Sequence, residues 1–204
     1  MVVDFKTFIL TNKNYIDKET KKTQILIGNS YSNNIKYISG WKKRNGGKYK
    51  KTTTFSIDKK GNTYQHFDDK YYSKSVGIDD LDKSIISITL ENIGWLNKDL
   101  LEDRYIDWVG NIYKRRAKVI DKRWRGFRYW EPYTTKQFNS CVDLVTFLCE
   151  KHNIDKKCVG HNTYIKNIED FNGVIYRSNY NKYLTDVSPA WDFKKFKNKI
   201  EEKK

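Results

Sequence analysis

A long amphipathic helix that follows several short strands most constrains the fold of this 204-residue chain. Thr134-Thr-Lys-Gln137 has the form of a capping box at a helix start. After it, apolar side chains recur at helical spacing: Phe138, Cys141, Val142, Val145, Leu148 and Cys149. These two signals predict a helix over residues 134–151.

Short apolar runs before that helix predict strands. Gln24-Ile-Leu-Ile-Gly28 is β-branched and stops at a polar loop, and Ile85-Ile-Ser-Ile-Thr-Leu90 is a second such run. Segments 52–57 and 64–67 flank Lys60-Gly61-Asn62 and predict a hairpin. Strands interleaved with helices predict one α/β domain over residues 1–204, with a mixed central β-sheet flanked by helices.

Three further segments complete the predicted order of elements. Residues 33–50 are polar and predict a long loop or lid, and residues 156–160 predict a short strand or its approach. Residues 192–204 predict a basic C-terminal helix that carries Phe193, Phe196 and Ile200.

The composition is that of a folded protein that does not span a membrane. Hydrophobic residues make up 38% and aromatic residues 15%, although 32% of the chain is charged. No apolar run approaches the ~20 residues of a membrane span, and the N-terminus lacks the layout of a secretory signal. We therefore expect a protein that stays in the cytoplasm where it is made, or that leaves by lysis or inside a virion.

The net charge of +15, from 40 Lys and Arg against 25 Asp and Glu, favours a polyanionic partner. Nucleic acid, an anionic cell-wall polymer and an acidic protein surface all fit. Drift in a composition rich in Lys, Asn, Ile and Tyr would give the same charge. Charge alone therefore does not choose between these explanations.

The segment 114–130 combines eight basic residues and one acid with interleaved aromatic rings. Aromatic rings beside Arg can stack on sugars or bases, and Arg can pair with phosphates or carboxylates. This pattern predicts ligand contacts by Trp124, Arg125, Arg128, Tyr129 and Trp130. A solvated basic loop whose aromatic rings enter the core is an equal alternative.

Two short motifs carry residue types of a catalytic zinc site. They are Val-Gly-His-Asn (159–162) and Thr-Asp-Val-Ser-Pro-Ala-Trp-Asp-Phe (185–193), which contain His161 and Asp186. A hydrolytic zinc needs three protein ligands and one open position for water, and the chain has only three histidines. Without a metal, Asp186 would cap the turn before Pro189.

The order of motifs resembles the zinc-dependent N-acetylmuramoyl-L-alanine amidases of the type 2 family, which includes phage lysozyme-type amidases and peptidoglycan-recognition proteins. The resemblance covers residues 20–200 and rests on segments 59–65 and 87–92, the long helix, and the two motifs above. It implies an amidase-type fold. It also implies that His161 and Asp186 occupy inherited zinc-ligand positions, and that Glu91 matches a catalytic glutamate.

The chain departs from the family pattern at four places around the same site. Gly28 stands where the first histidine ligand belongs, and Thr53-Thr54 replaces a Tyr-His pair. Leu184 replaces a lysine, and Val187-Ser188 replaces Pro-Gly. Each loss removes a ligand, a proton-transfer partner or a cation near the developing oxyanion. We therefore expect a degenerate site without zinc; the alternative is a rebuilt site in which Cys158 joins His161 and Asp186.

The resulting expectation is a catalytically impaired amidase relative, a pseudoenzyme. It would bind cell-wall glycopeptide in peptidoglycan, or a protein partner in an assembly, and it would be encoded by a phage. An active zinc amidase with altered ligands is one alternative. A basic nucleic-acid-binding or virion assembly protein that reuses the fold is another.

Overall fold

The computed structural model describes residues 2–114 and 119–202, which form two β-sheets with helices packed on the larger one. The strands are β1 (Val3–Asp4), β2 (Gln24–Asn29), β3 (Phe55–Ile57), β4 (Thr63–Gln65), β5 (Ile85–Leu90), β6 (Trp95–Asp99), β7 (Arg104–Asp107), β8 (Ile120–Trp124), β9 (Phe127–Trp130) and β10 (Gly173–Tyr176). The α-helices are α1 (Asp79–Ser84), α2 (Thr135–His152), α3 (Arg177–Tyr180) and α4 (Phe193–Glu202). No helix among these residues is long and apolar enough to cross a membrane.

The larger sheet has six strands in the order β1-β4-β3-β5-β2-β10. Strands β3, β5, β2 and β10 run parallel to one another, whereas β4 is antiparallel to β3. This arrangement confirms the predicted mixed sheet. It also brings the carboxyl ends of β5, β2 and β10 to one edge.

The strands β2 and β5 are buried on both faces because helices cover both sides of the sheet. Side chains alternate along a strand, so Ile25 and Ile27 face one layer and Leu26 faces the other. The first layer contains apolar residues of α2 and α4, and the second contains Leu81 of α1 together with Ile168. Because both faces of these strands are buried, their sequences are continuous apolar runs and do not alternate between apolar and polar residues.

The predicted helix over 134–151 is confirmed as α2, but only half of its capping box forms. The side chain of Thr134 accepts a hydrogen bond from the backbone N–H of Gln137 at 3.1 Å. The Gln137 side chain does not return to Thr134; its Nε2 donates to the carbonyls of Ile57 (3.0 Å) and Glu91 (3.1 Å). Gln137 thereby fastens the start of α2 to the ends of β3 and β5.

The prediction that residues 33–50 form a long loop is wrong. They contain two 3-10 helices, Ile35–Lys42 and Arg44–Gly47. Ile35, Ile38 and Trp41 are buried in a second apolar cluster with residues of the N-terminal segment. These three side chains anchor the segment in the core. The segment is mostly polar, so its composition does not reveal these contacts.

Other predicted elements are confirmed, and the hairpin strands and the C-terminal helix are shorter than predicted. The hairpin forms from β3 and β4, β5 matches its run residue for residue, and the C-terminal helix is α4 within the described range. The segment 156–160 forms only an isolated parallel bridge, between Cys158 and Val174.

The smaller sheet, in the order β7-β6-β9-β8, was not predicted. The basic segment 114–130 contributes the hairpin β8–β9, with Arg125 (φ 47°) and Gly126 (φ 82°) at its turn. Two consecutive residues with positive φ are typical of the tight turns that match the twist of a hairpin. Residues 115–118 of that segment lie outside the described residues.

His66 is a buried structural histidine, and it makes the stability of the fold depend on pH. Its Nδ1 lies 3.0 Å from the Phe8 carbonyl oxygen, and its Nε2 lies 2.9 Å from Ser56 Oγ. Burial lowers the pKa of His66 to about 4 from a usual value of 6.5. The unfolded chain therefore takes up a proton first as the pH falls, so stability present above pH 6.5 is lost towards pH 4.

We expect His66 to account for a loss of about 3 kcal/mol in the free energy of unfolding between pH 7 and pH 4. Urea unfolding at a series of pH values measures it, with His66→Gln as the comparison. The variant should have a flatter pH dependence, whatever its stability at pH 7. Equal slopes for the two proteins would contradict the assignment.

Candidate functional site

The register of β10 against β2 places Arg177 beside Gly28. Tyr176 of β10 pairs with Ile27 of β2 in this parallel ladder. Arg177 follows Tyr176 in the chain, and Gly28 follows Ile27. In open α/β sheets, ligands bind at the carboxyl ends of the strands. Gly28 and Arg177 therefore lie at the edge where a ligand site is expected.

Arg177 occupies the space into which a side chain at position 28 would project. A Cβ atom placed on Gly28 would lie 2.9 Å from Cγ of Arg177 and 2.7 Å from Oδ2 of Asp186, and closer still to Cδ of Arg177. Real Cβ atoms essentially never approach other atoms below 3.0 Å. A histidine at position 28 therefore has no room while Arg177 and Asp186 stay in place.

Asp186 is fully buried and is satisfied by protein groups. Its Oδ2 accepts a hydrogen bond from the N–H of Asn29 at 2.9 Å and lies 3.5 Å from Nη1 of Arg177. Its Oδ1 accepts a hydrogen bond from the Tyr31 hydroxyl at 2.8 Å. The carboxylate is thus the counter-ion of Arg177, and the prediction that it caps the turn before Pro189 is wrong.

The Asp186 carboxylate also raises the pKa values of Arg177 and Tyr31. The Asp186 carboxylate raises the pKa of Arg177 and outweighs the opposing effect of burial, so the guanidinium stays charged. Burial, and then the negative charge of Asp186, raises the pKa of Tyr31, which keeps that hydroxyl protonated as a donor. Arg177 therefore stays a cation, and Tyr31 stays a neutral hydrogen-bond donor to the Asp186 carboxylate.

A second set of contacts fixes the loop that carries Asp186. The Tyr133 hydroxyl donates to Oδ1 of Asn29 at 2.7 Å and accepts from the N–H of Ser188 at 3.2 Å. The N–H of Ser178 donates to the Asp186 carbonyl at 2.7 Å. The end of β2, the residues just before α2 and the helix α3 after β10 thus all hold the loop in place.

His161 is exposed and turned to a local partner. Its Nδ1 accepts hydrogen bonds from the side-chain hydroxyl (2.7 Å) and the backbone N–H (3.3 Å) of Thr163. Only its backbone is tied to the site's surroundings, through a hydrogen bond from Asn179 to its carbonyl at 3.1 Å. Among the described residues, the imidazole forms no hydrogen bond or ion pair with Asp186.

Cys158 lies in the core and does not face the site. Its Sγ is 3.0 Å from the Tyr176 hydroxyl, and the residue is only 5% exposed. Burial raises the pKa of the Cys158 thiol, which favours the protonated form, whereas a metal ligand must be the thiolate. The alternative of a site rebuilt from Cys158, His161 and Asp186 is therefore not what the structure assembles.

The donor set does not fit a three-ligand zinc site. Gly28 offers no donor, Asp186 is paired with Arg177, and His161 is engaged with Thr163. Within residues 2–114 and 119–202, no group of three His, Cys, Asp or Glu side chains is close enough to hold a metal ion.

Glu91 follows β5 at the same edge of the sheet, within a buried cluster of charges. Its Oε1 lies 3.9 Å from Nζ of Lys59, and that ammonium donates at 2.8 Å to Oε1 of Glu131. Burial raises the pKa of Glu91, and the positive charge of Lys59 opposes this effect. Lys59 thus serves two carboxylates and ties Glu91 to Glu131.

A cavity of about 480 Å³ opens beside Gly28 and Arg177. Aromatic residues form much of its wall, several of them from the 3-10 segment: Tyr31, Tyr37, Trp41, Tyr49 and Trp108. Thr53, the first residue of the Thr53-Thr54 pair, also lines it. Among the described lining residues, none is Glu91, His161 or Asp186.

The β8–β9 hairpin uses three of its five predicted binding residues, Trp130, Arg128 and Arg125, for contacts within the protein. Trp130 is fully buried, and its Nε1 donates to the Lys122 carbonyl at 2.7 Å, so the prediction of a ligand contact is wrong for this ring. Arg128 forms a two-bond pair with Asp121, at 2.6 and 2.7 Å. Tyr129 is partly buried under the Arg128 guanidinium.

Arg125, at the tip of that hairpin, is a clamp rather than a free binding group. Its guanidinium donates to the carbonyls of Ser178 (3.1 Å), Asn181 (3.0 Å) and Leu184, and it stacks on the Trp124 ring at 4.6 Å. These carbonyls lie between Arg177 and Asp186 in the chain. Arg125 thereby ties the smaller sheet to the segment that presents the ion pair.

The most consequential residue, Arg177, was missed from the sequence. The apolar run Gly173-Val-Ile-Tyr176 is a strand signal that directly precedes it. That signal places Arg177 at a strand end. Its position beside Gly28 results from the pairing of β10 with β2, and no local sequence pattern predicts that pairing.

Comparisons with known proteins agree on one family. The model of the N-acetylmuramoyl-L-alanine amidase family matches residues 17–172. Among solved structures, the amidase LysC from Clostridium intestinale URNW is 14% identical with a TM-score of 0.56, and the match covers 98% of this chain and 97% of that one. PlyL is 15% identical with a TM-score of 0.55, and 98% of each chain is covered.

A third match is the amidase AmiD from E. coli in complex with the substrate anhydro-N-acetylmuramic acid-L-Ala-D-gamma-Glu-L-Lys. It is 12% identical with a TM-score of 0.58, over 90% of this chain and 59% of that one. At these identities the likeness shows a shared fold. A comparison with curated protein sequences gives no match.

We expect Gly28→Ala to lower the free energy of unfolding by about 1–3 kcal/mol, because the new methyl group overlaps Arg177 and Asp186. Gly40→Ala is the matched control, since a Cβ there meets nothing within 4 Å. Urea unfolding of the two variants measures the difference. Equal stabilities would show that Arg177 does not occupy this space.

Proposed function

This chain belongs to the N-acetylmuramoyl-L-alanine amidase family, and on that premise we propose that it binds peptidoglycan without hydrolysing it. The observation that carries the proposal is the Arg177–Asp186 ion pair. It stands where the resemblance places two of the three zinc ligands, at Gly28 and Asp186.

A guanidinium can replace the charge of a metal ion but not its chemistry. Bound zinc would polarise a carbonyl and lower the pKa of a water molecule. Arg177 carries only hydrogen-bond donors and keeps its proton, so it can orient an oxygen atom but cannot generate a nucleophile. The pair with Asp186 thus supports retention of a ligand without attack on it.

The placement of the remaining acid–base groups supports the same proposal. A general base must come within hydrogen-bond reach of the proton that it removes. Glu91 belongs to the cluster with Lys59 and Glu131, and His161 is exposed beside Thr163. Neither lines the cavity among its described residues.

The cavity itself supports a peptidoglycan ligand. The substrate in the AmiD complex combines a muramic acid sugar with a short peptide. In this chain, aromatic rings on the cavity wall provide apolar faces for a sugar, and Trp108 is 46% exposed at that wall. The charge of +15 adds a general attraction for an anionic polymer.

We expect the purified protein to contain far less than one zinc per chain and to release no stem peptide from peptidoglycan. It should nevertheless sediment with insoluble peptidoglycan. Metal analysis, amine release and a sedimentation assay measure the three properties, with LysC as the positive control for hydrolysis. Stoichiometric zinc together with peptide release would identify an active amidase and overturn the proposal.

Failure to sediment with peptidoglycan would also overturn it. Retention on nucleic acid that falls steeply with salt would then favour the nucleic-acid alternative instead. The assay therefore includes a DNA column run at several salt concentrations.

A further inference from the structure

The lining of the cavity beside Gly28 is cationic. It includes Arg44, Lys51 and Arg177, and its described residues include no Asp or Glu. Arg44 and Lys51 are exposed, and neither forms an ion pair within the described part of the chain. Arg44 instead stacks on the Tyr49 ring at 5.2 Å, which keeps it at the wall. The charge of these two side chains is therefore available to a ligand.

The buried Asp186 carboxylate neutralises Arg177 from the protein side, and part of the Arg177 side chain faces the cavity. The Asp186 side chain is 0% exposed, whereas 30% of the Arg177 side chain remains exposed at the cavity. Its Nη1 is directed to Asp186, its Nε is buried without a hydrogen-bond partner, and the guanidinium also has a side-chain hydrogen bond with Tyr180. A guanidinium has five N–H donors in a planar fork, and a carboxylate of a ligand can use two of them at once.

These observations suggest a site built to distinguish a charged oxygen pair from a neutral one. Hydrogen bonds between a guanidinium and a carboxylate are stronger than those to a neutral amide. In the AmiD substrate, the carboxyl group of muramic acid is joined to L-Ala as a neutral amide. Addition of water across that amide bond gives the free carboxylate of the sugar and the amine of the peptide.

We propose that the cavity binds the free lactyl carboxylate of muramic acid through Arg177, Arg44 and Lys51. Its ligand is therefore glycan from which the peptide has been removed. This inference rests on the proposed function and names the chemical group that is recognised. Amide hydrolysis is the class of reaction that supplies such a ligand, and the chain acts after it.

The test compares two probes that differ only at the carboxyl group. N-acetylmuramic acid and its primary amide are titrated into the protein, and their dissociation constants are measured by calorimetry. We expect the acid to bind at least about ten-fold more tightly, the effect of one charge-assisted contact. Equal affinities would overturn the proposal.

Charge variants locate the effect. Arg44→Gln with Lys51→Gln should reduce the preference for the acid, because Arg177 alone then remains to bind the carboxylate; both side chains are exposed, so the fold is retained. Lys43→Gln with Lys48→Gln is the matched control: the same charge is removed from exposed residues of the same segment that do not line the cavity. An equal loss in both double variants would point to net charge alone and overturn the proposal.

Inorganic phosphate tests the other source of oxyanions. Equimolar phosphate should leave N-acetylmuramic acid bound; complete displacement would overturn the assignment to a saccharide carboxylate. Sedimentation with peptidoglycan separates this inference from the function on which it rests. Sedimentation without a preference for the acid refutes the inference alone, whereas a preference without sedimentation refutes the proposed function alone.

Discussion

The buried ion pair between Arg177 and Asp186 is the interaction around which the functional edge of this protein is arranged. Removing one partner of such a pair typically costs about 3–5 kcal/mol, because an uncompensated charge stays buried. The surroundings reduce that risk: Asn29 and Tyr31 add hydrogen bonds to the carboxylate, and Arg125 fixes the segment between the two charges. Gly28 completes the arrangement by leaving room for the arginine.

On the proposed function, this arrangement accounts for an amidase fold that holds no zinc at this edge. A bound zinc contributes positive charge at the strand ends and holds loops together. In this chain, Arg177 supplies a positive charge at the same edge, and hydrogen bonds through Tyr133 hold the loop of Asp186. On the proposed function, a guanidinium at this place keeps the electrostatics favourable for an oxygen ligand but cannot generate a nucleophile.

The sequence predicts those parts of the fold whose signals are local. The helix α2 and the strand β5 follow from periodicity and from a continuous β-branched run, and the family resemblance assigns the first zinc-ligand position to Gly28. The place of Arg177 beside Gly28 could not be predicted, because it depends on strands β2 and β10, which are about 150 residues apart. The burial of Trp130 could not be predicted for the same reason, because it depends on strand pairing within the smaller sheet.

The central claim, that Arg177 stands in for the metal, is tested most directly by a crystal structure of the protein grown with excess zinc. Diffraction data recorded on both sides of the zinc absorption edge locate any bound zinc independently of the atomic model. We predict no anomalous peak at Asp186 and an intact contact between its carboxylate and Arg177. A zinc peak bound by Asp186 and His161, with Arg177 displaced from Gly28, would contradict this account.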